Sequence, residues 1–490
     1  MKQVNFKPQV TPEFIARTLG RNIPQLVHAD VSTEPTPENL QDILPFSCIT
    51  IDSRKVTQGS IFVAIQGDNH DGHDFIERAI ELGARGIIHR RDFQAPPHAD
   101  VLFFQVDDTL QAYRAIAAAW RREFSLPVIA VAGSVGKTTT KELLSAALKG
   151  KFEHVLSTEG SQNGFVGIPL TLLSLSAQHQ IAVIEVGIDD IGAMEQHMAL
   201  LGATASLLTR IGPEHLERLK DLPTVASEEG IALTSVAKNK GTILINLDDP
   251  WIRPYATILR VGRRISFSIE NRSSPLEEHV TAEWVDANHE ALRFRWLDQP
   301  EFEIKLPLPG AHNGSNLAAA VTAALVHGLT PQEIAQGLSS FGGAYGRSEV
   351  ADLAGSPVVC DYYNANPSSV EAGFNLLDEV ARKKSSTTQK WACLGDMLEL
   401  GAEEEKFHRE LSHSILRLSL DGVLLYGERM KWLQDELKKK DFKGHVSHHA
   451  SHEELVAELN QRWHPGDALL IKGSRGTKME TVWKALQAKA

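Results

Sequence analysis

Cysteine is scarce. The chain has 490 residues and three cysteines, Cys48, Cys360 and Cys393, far apart and odd in number. That argues against a disulfide framework and fits a reducing compartment. No Cys/His spacing of the zinc type occurs, and the small cluster of His448, His449 and His452 is expected in a solvated loop. Long apolar runs are missing too. No stretch approaches the ~18 residues of a spanning helix, so membrane insertion is not expected. The opening residues, MKQVNFKPQV, lack a signal-peptide core. There is no basic cluster, and the formal net charge is −12, which disfavours non-specific nucleic-acid binding. Internal repeats and low-complexity tracts are also absent. What remains is ordinary apolar content and mixed charge, in a chain long enough for two to four domains. A cytoplasmic protein is the expectation.

What is present centres on residues 128–144, VIAVAGSVGKTTTKELL. An apolar run ends in a glycine turn, and an apolar-periodic stretch begins at once. Strand, loop and helix are predicted in that order. The loop Gly133-Ser134-Val135-Gly136-Lys137-Thr138-Thr139 has the chemistry of a phosphate cradle. Small residues let backbone N–H groups point inward, Lys137 adds positive charge, and the Thr138 hydroxyl can reach Mg²⁺. The helix start contributes roughly half a positive charge. The usual pattern spaces its glycines more widely, and Val131 stands where the first would fall.

Residues 1–125 read as a small α/β domain. Thr11 is a predicted N-cap with Pro12 at the first helical position. Residues 30–45 are polar and proline-containing, hence loop. Residues 48–67 alternate like strands around a turn at Gln58-Gly59. In Asp52-Ser53-Arg54 the spacing favours a turn with a solvated arginine, with anion binding through Arg54 and Ser53 as the alternative.

Residues 126–345 read as the central domain. IAVIEV is a buried-type strand that puts Glu185 at its carboxyl end, where a P-loop protein keeps a metal-binding acid; a paired core acid is the competing account. His215 lies in the loop TRIGPEHLE and, taken alone, reads as an ordinary loop histidine. Residues 262–309 alternate like antiparallel strands and are predicted as an added β-layer at the sheet edge. His312 and Asn313 stand at the entrance of an alanine-rich helix. Residues 346–490 repeat strand, polar loop and helix. Asp396, Lys472 and Arg475 fall at strand ends, on the rim where open α/β sheets bind ligands. The fold class is α/β in three domains: a central P-loop parallel-sheet domain with a β-rich edge, a small N-terminal α/β domain, and a C-terminal Rossmann-like α/β domain.

The motifs DSRKVTQGSIFVAIQG, AGSVGKTTTKE, TEGSQNGFVGIPLTLL, IEVG, TRIGPEHLE, GAHNGSN, DYYNANPSS, LGDMLELG and KGSRGTKME together resemble the Mur ligases of peptidoglycan synthesis. The resemblance covers nearly the whole chain. It implies an ATP- and Mg²⁺-dependent amide ligase acting on UDP-N-acetylmuramoyl-tripeptide and D-alanyl-D-alanine through an acyl phosphate. Thr138 and Glu185 would hold one Mg²⁺, and His215 would ligate a second ion. Asn313, Asn316, Arg347, Asp361 and Asn364 would contact ATP. Ser53, Arg54 and Asn163 would bind the UDP moiety, and Asp396, Lys472 and Arg475 the acceptor. The resemblance further implies a cytoplasmic monomer. A sister ligase with another amino-acid acceptor, or a nucleotide-binding homologue without catalysis, are the competing readings.

The chain departs from that pattern at one place above all. The relatives carry a lysine fourteen residues after the metal histidine, as a carbamate bridging to magnesium; here that count lands on Glu229. Glu229 is expected either to supply the carboxylate directly or, with Glu228, to be a solvated acid near a helix start. Its side chain is three bonds shorter than a carbamylated lysine, about 4 Å of reach. Ser161 and Gly164 where the family often has asparagine, Arg210 for asparagine and Ala193 for glutamate are further departures.

Overall fold

The computed structural model describes residues 10–20, 25–27, 32–33, 45–67, 70–96, 98 and 100–488. The chain forms two compact units. One comprises Met1–Val128, Gln162–Ala182 and Gln196–Gly202; the other comprises Ile129–Ser161, Val183–Glu195 and Ala203–Ala490.

The first unit is built on a six-stranded sheet in the order Ser32–Thr33, Gln25–Val27, Leu102–Val106, Gly86–Arg90, Ile61–Val63, Ile49–Thr50. The pairings of Gln25–Val27 are antiparallel and the rest parallel. Thr11 caps the helix Pro12–Thr18, accepting from the Phe14 N–H at 3.0 Å. Gly59 takes the expected turn at φ 82°, but the strands on either side run parallel, so this is not a hairpin. The turn Ser53–Lys55, capped by Asp52, intervenes between them. Most of the loop expected over 30–45 lies outside the described residues, and Ser32–Thr33 within it is a strand.

His197 is buried in this unit with both ring nitrogens lacking a hydrogen-bond partner among the described residues. Its ring meets Phe165 edge-on at 4.6 Å. Burial, reinforced by the Arg114 charge, pushes its pKa down to about 4. The folded protein therefore keeps it neutral, whereas the unfolded chain takes up a proton near pH 6.5. Stability contributed here is lost as pH falls from about 6.5 toward 4. His197→Leu is expected to raise the urea midpoint at pH 7, by about 1 kcal/mol or more in stability, because it removes unsatisfied polar atoms. The gain should widen at pH 5, which urea titrations at the two pH values will measure.

The second unit holds the C-terminal sheet and all of the nine-stranded sheet but Val128, Ile181 and Ala182. The nine-stranded sheet runs Phe302–Lys305, Ala291–Trp296, His279–Trp284, Arg263–Ser268, Thr242–Asn246, Ala205–Leu208, Val128–Ala132, Ile181–Glu185, Val155–Ser157. Val128–Ala132 and Ile181–Glu185 are buried at every position, as strands covered on both faces must be. The helices Lys137–Leu148 and Asn313–Val326 pack against each other. The β-rich edge exists, with a correction. Arg263–Ser268 pairs in parallel on both sides, and only the last three strands form an antiparallel meander. Alternation marks one buried face and carries no information on direction.

The C-terminal sheet runs Glu349–Leu353, Ser356–Asp361, Ala468–Lys472, Lys390–Gly395, Gly422–Tyr426, His445–His449, parallel except for the first pair. The solvated loop expected at His448, His449 and His452 is instead the end of a strand and the start of the helix His452–Arg462. His448 Nε2 meets the Gly427 carbonyl at 2.7 Å, His449 meets Ser447 Oγ at 2.9 Å, and His452 meets the Thr477 carbonyl at 2.8 Å. Polar letters read as loop because the partners that satisfy them are distant in sequence. Among the described residues no helix is long and apolar enough to cross a membrane.

Candidate active site

The strand Val128–Ala132 delivers the chain into Gly133, whose φ of 115° suits glycine. A β-carbon there would stand 2.5 Å from Thr209 Oγ1. Gly136, at φ 90°, starts the helix Lys137–Leu148, and a β-carbon on it would stand 2.3 Å from Asn316 Oδ1. Asn316 is held in turn by Thr140 Oγ1, which donates to it at 3.2 Å, and it donates to Asn313 Oδ1 at 2.9 Å. These two asparagines, expected at the nucleotide, thus brace the glycine loop from behind. Gly136→Ala is expected to weaken ADP binding at least tenfold through backbone strain and displacement of Asn316; isothermal titration measures it.

Lys137 sits among acids. Its Nζ donates to Glu214 Oε2 at 3.2 Å, with side-chain exposures of 13% and 9%. Burial alone would lower its pKa, but Glu214, Glu229 and Glu185 together raise it, so it stays a cation. Glu229 lies in the interior of the helix Leu222–Lys238 and is fully buried. Its Oε2 accepts from the Gly133 N–H at 2.7 Å. The solvated-acid account of Glu228 and Glu229 is therefore excluded, because Glu228 is also buried and accepts from the Gly192 N–H at 2.9 Å. Both acids lie well inside the helix rather than at its start, on a face covered by other residues. Burial pushes the Glu229 carboxyl well above the usual range; Glu214 adds to this and Lys137 opposes it. Glu185 ends its strand buried, its own N–H donating to Thr158 Oγ1 at 3.0 Å.

Two buried carboxyl oxygens, Glu214 Oε1 and Glu229 Oε1, have no nitrogen or hydroxyl donor among the described residues, the two acids meeting each other instead, and Ser134 Oγ, next to Gly133 in sequence, is likewise without a partner there. Orphaned acid oxygens at a phosphate loop fit a divalent cation. Among the described residues no three His, Cys, Asp or Glu side chains form a closed metal cage.

Other expected residues gather in the same unit. Thr138 Oγ1 lies 3.3 Å from Ser161 Oγ, which accepts from Arg347 at 3.2 Å. The Arg347 guanidinium stacks 4.4 Å from the Tyr363 ring, and Arg475 approaches the same ring at 5.4 Å. Lys472 is buried and donates to Asp361 Oδ2 at 2.6 Å and to the Asn364 carbonyl at 3.0 Å. Burial lowers its pKa while Asp361 pulls it back up. Lys472 thus braces the 361–364 loop and is not a free charge on the rim. Asp396 is likewise buried, accepting from the Met430 N–H at 2.9 Å. Burial raises its pKa despite that bond. Arg475 is the exposed member of the three, ion-paired to Glu480 at 3.0 Å.

His215 takes the left-handed backbone, φ 47°, and its Nδ1 meets Glu399 Oε2 at 2.7 Å. Burial would lower its pKa, but Glu399 and Glu214 outweigh burial and Lys137 and raise it. In the first unit, Arg54 forks onto Asp52 at 2.9 and 2.8 Å, with 87% of its side chain exposed. Ser53 belongs to the same turn, and Asn163 precedes the helix Gly167–Leu173. Sequence reasoning missed Glu214 and Glu399. The first is adjacent to His215 in PEH and was legible as an acid in the same loop; the second lies in LGDMLELG, where nothing local tells which residue it meets.

A glycine loop with a buried lysine, opening the helix after a parallel strand and ringed by acids, defines a P-loop nucleotide-binding protein. Residues 131–324 match the Mur ligase middle domain, residues 346–475 the Mur ligase glutamate ligase domain, and residues 45–121 the Mur ligase catalytic domain. The UDP-N-acetylmuramoyl-tripeptide--D-alanyl-D-alanine ligase of Bacillus subtilis is 30% identical over 96% of this chain and 98% of its own. The Escherichia coli ligase of the same name is 30% identical over 91% and 94%. Among solved structures, MurF from Acinetobacter baumannii superposes with a TM-score of 0.82 at 25% identity, covering 98% and 99% of the two chains. MurF of Thermotoga maritima in complex with ADP gives 0.75 at 26%, covering 90% and 98%. The chain belongs to the Mur ligase family.

Proposed function

We propose that this protein joins D-alanyl-D-alanine to UDP-N-acetylmuramoyl-tripeptide at the expense of ATP. The peptide carboxylate attacks the γ-phosphorus, the bond to ADP breaks, and an acyl phosphate forms. The acceptor amine then attacks the acyl carbon, phosphate leaves with the bonding pair, and the amine gives up a proton. The observation that carries the reading is the buried Lys137 cation held among carboxylates on the glycine loop. There it would neutralise charge on the phosphoryl group in flight.

Thr138 and Glu185 would hold one Mg²⁺, and His215 and Glu229 a second. Bound there, the ions would supply Lewis-acid stabilisation of the phosphate oxygens. Asn313, Asn316, Arg347, Asp361 and Asn364 would line or brace the ATP site. Ser53, Arg54 and Asn163 would hold the UDP moiety, with Arg475 toward the acceptor and Asp396 and Lys472 as internal supports. The lobes would be 1–125, 126–345 and 346–490, in a cytoplasmic monomer. Phosphate release measured with the UDP-linked tripeptide, with and without D-alanyl-D-alanine, tests the assignment. Turnover requiring both supports it; turnover supported instead by a single amino acid, or by neither, contradicts it.

A further inference from the structure

His215 and Glu399 face each other from segments far apart in sequence, and both hold backbone that side chains rarely adopt. His215 sits at φ 47° and Glu399 at φ 65°. Glycine would take either position without strain. A glycine stands two residues on, Gly401, φ 61°, where a β-carbon would lie 3.1 Å from the Glu217 nitrogen. So the 399–401 loop is pressed against the 215–217 turn, and the Glu217 N–H also donates to the Glu399 carbonyl at 3.5 Å. Within this close approach one side-chain contact is short: His215 Nδ1 to Glu399 Oε2 at 2.7 Å.

A carboxylate can only accept, so Nδ1 is the protonated ring nitrogen. Nε2 is then left with the lone pair when the ring is neutral. A histidine that ligates a metal commonly has its other nitrogen fixed by a carboxylate in this way.

We propose that Glu399 is a positioning residue for His215, locking its tautomer and ring orientation so that Nε2 is presented to the divalent cation at the phosphate loop. This rests on the reading of His215 as a metal ligand. It adds that the ligand is set by a loop following the strand Lys390–Gly395 of the C-terminal sheet. Glu399 is 58% exposed, so neutral replacement leaves the core intact.

The test uses the full chain with a non-hydrolysable ATP analogue and Mn²⁺, counted by electron paramagnetic resonance. Ring ¹⁵N shifts of labelled histidine report the tautomer. Glu399→Gln is expected to weaken Mn²⁺ about tenfold or more, to mix the His215 tautomers, and to leave the melting temperature and the metal-free affinity for the analogue unchanged. Glu399→Gly should weaken Mn²⁺ equally while melting no lower than the parent, because its backbone strain is relieved. That pairing is one a merely structural residue would not give. Wild-type Mn²⁺ affinity in both variants, with His215→Ala still weakening it, overturns the role of Glu399 and spares the ligand assignment. Unaltered Mn²⁺ affinity in His215→Ala overturns both.

Discussion

Lys137→Ala should release phosphate at least about 10²–10³-fold more slowly than the parent, with both substrates saturating. The lysine is held against Glu214, with Glu229 and Glu185 also acting on it. Its loss removes the charge that would meet the migrating phosphoryl group. It also leaves buried acids without their partner, and breaking such a pair costs roughly 3–5 kcal/mol when the charge stays uncompensated. The acids can escape that cost by taking up protons, so the variant should fold near pH 6 and lose stability as pH rises. The UDP-linked substrate should still bind, as titration calorimetry will show. A variant that forms the peptide bond at the parental rate would remove the basis for the phosphate-loop reading.

Glu229→Gln is expected to lower turnover about 10²-fold while leaving the glycine loop in place. Glutamine keeps an oxygen for the Gly133 N–H, now met by Glu229 at 2.7 Å, so the change removes the ionisable oxygen that a bound cation would meet and little else. The apparent Mg²⁺ requirement should shift to higher concentration in steady-state titrations. Where the family resemblance puts a carbamylated lysine, the Glu229 carboxyl meets the Gly133 N–H of the loop directly. The parental enzyme should therefore run at full rate in carbon dioxide-free buffer, with no response to added bicarbonate. Glu229→Lys should become bicarbonate-responsive if the helix has room for the longer group. Normal, Mg²⁺-dependent turnover in Glu229→Gln would refute a catalytic role for this acid.

The phosphate loop was legible because its information is local: strand, glycines, lysine and helix follow one another within residues 128–144. Glu185 was legible for the same reason, as the last residue of an apolar run. Glu214 could have been found, since it adjoins His215. Glu399 could not, because its partner is fixed by how a distant loop packs. Strand direction at Arg263–Ser268 was hidden because a buried alternation is the same in either direction. Lys472 and Asp396 misled as rim charges, since polarity at a strand end does not tell whether an internal partner has already claimed the group. Glu229 shows the reverse case. Its letter left a direct carboxylate and a solvated acid both open, and its helix turns it inward to the glycine loop.

The most direct measurement follows oxygen. With both terminal carboxylate oxygens of the tripeptide donor labelled with ¹⁸O, one should remain in the new amide and one should leave in the released phosphate, as mass spectrometry of the phosphate will show. Released phosphate free of label would mean that the peptide acid never attacked the nucleotide, contradicting the central account.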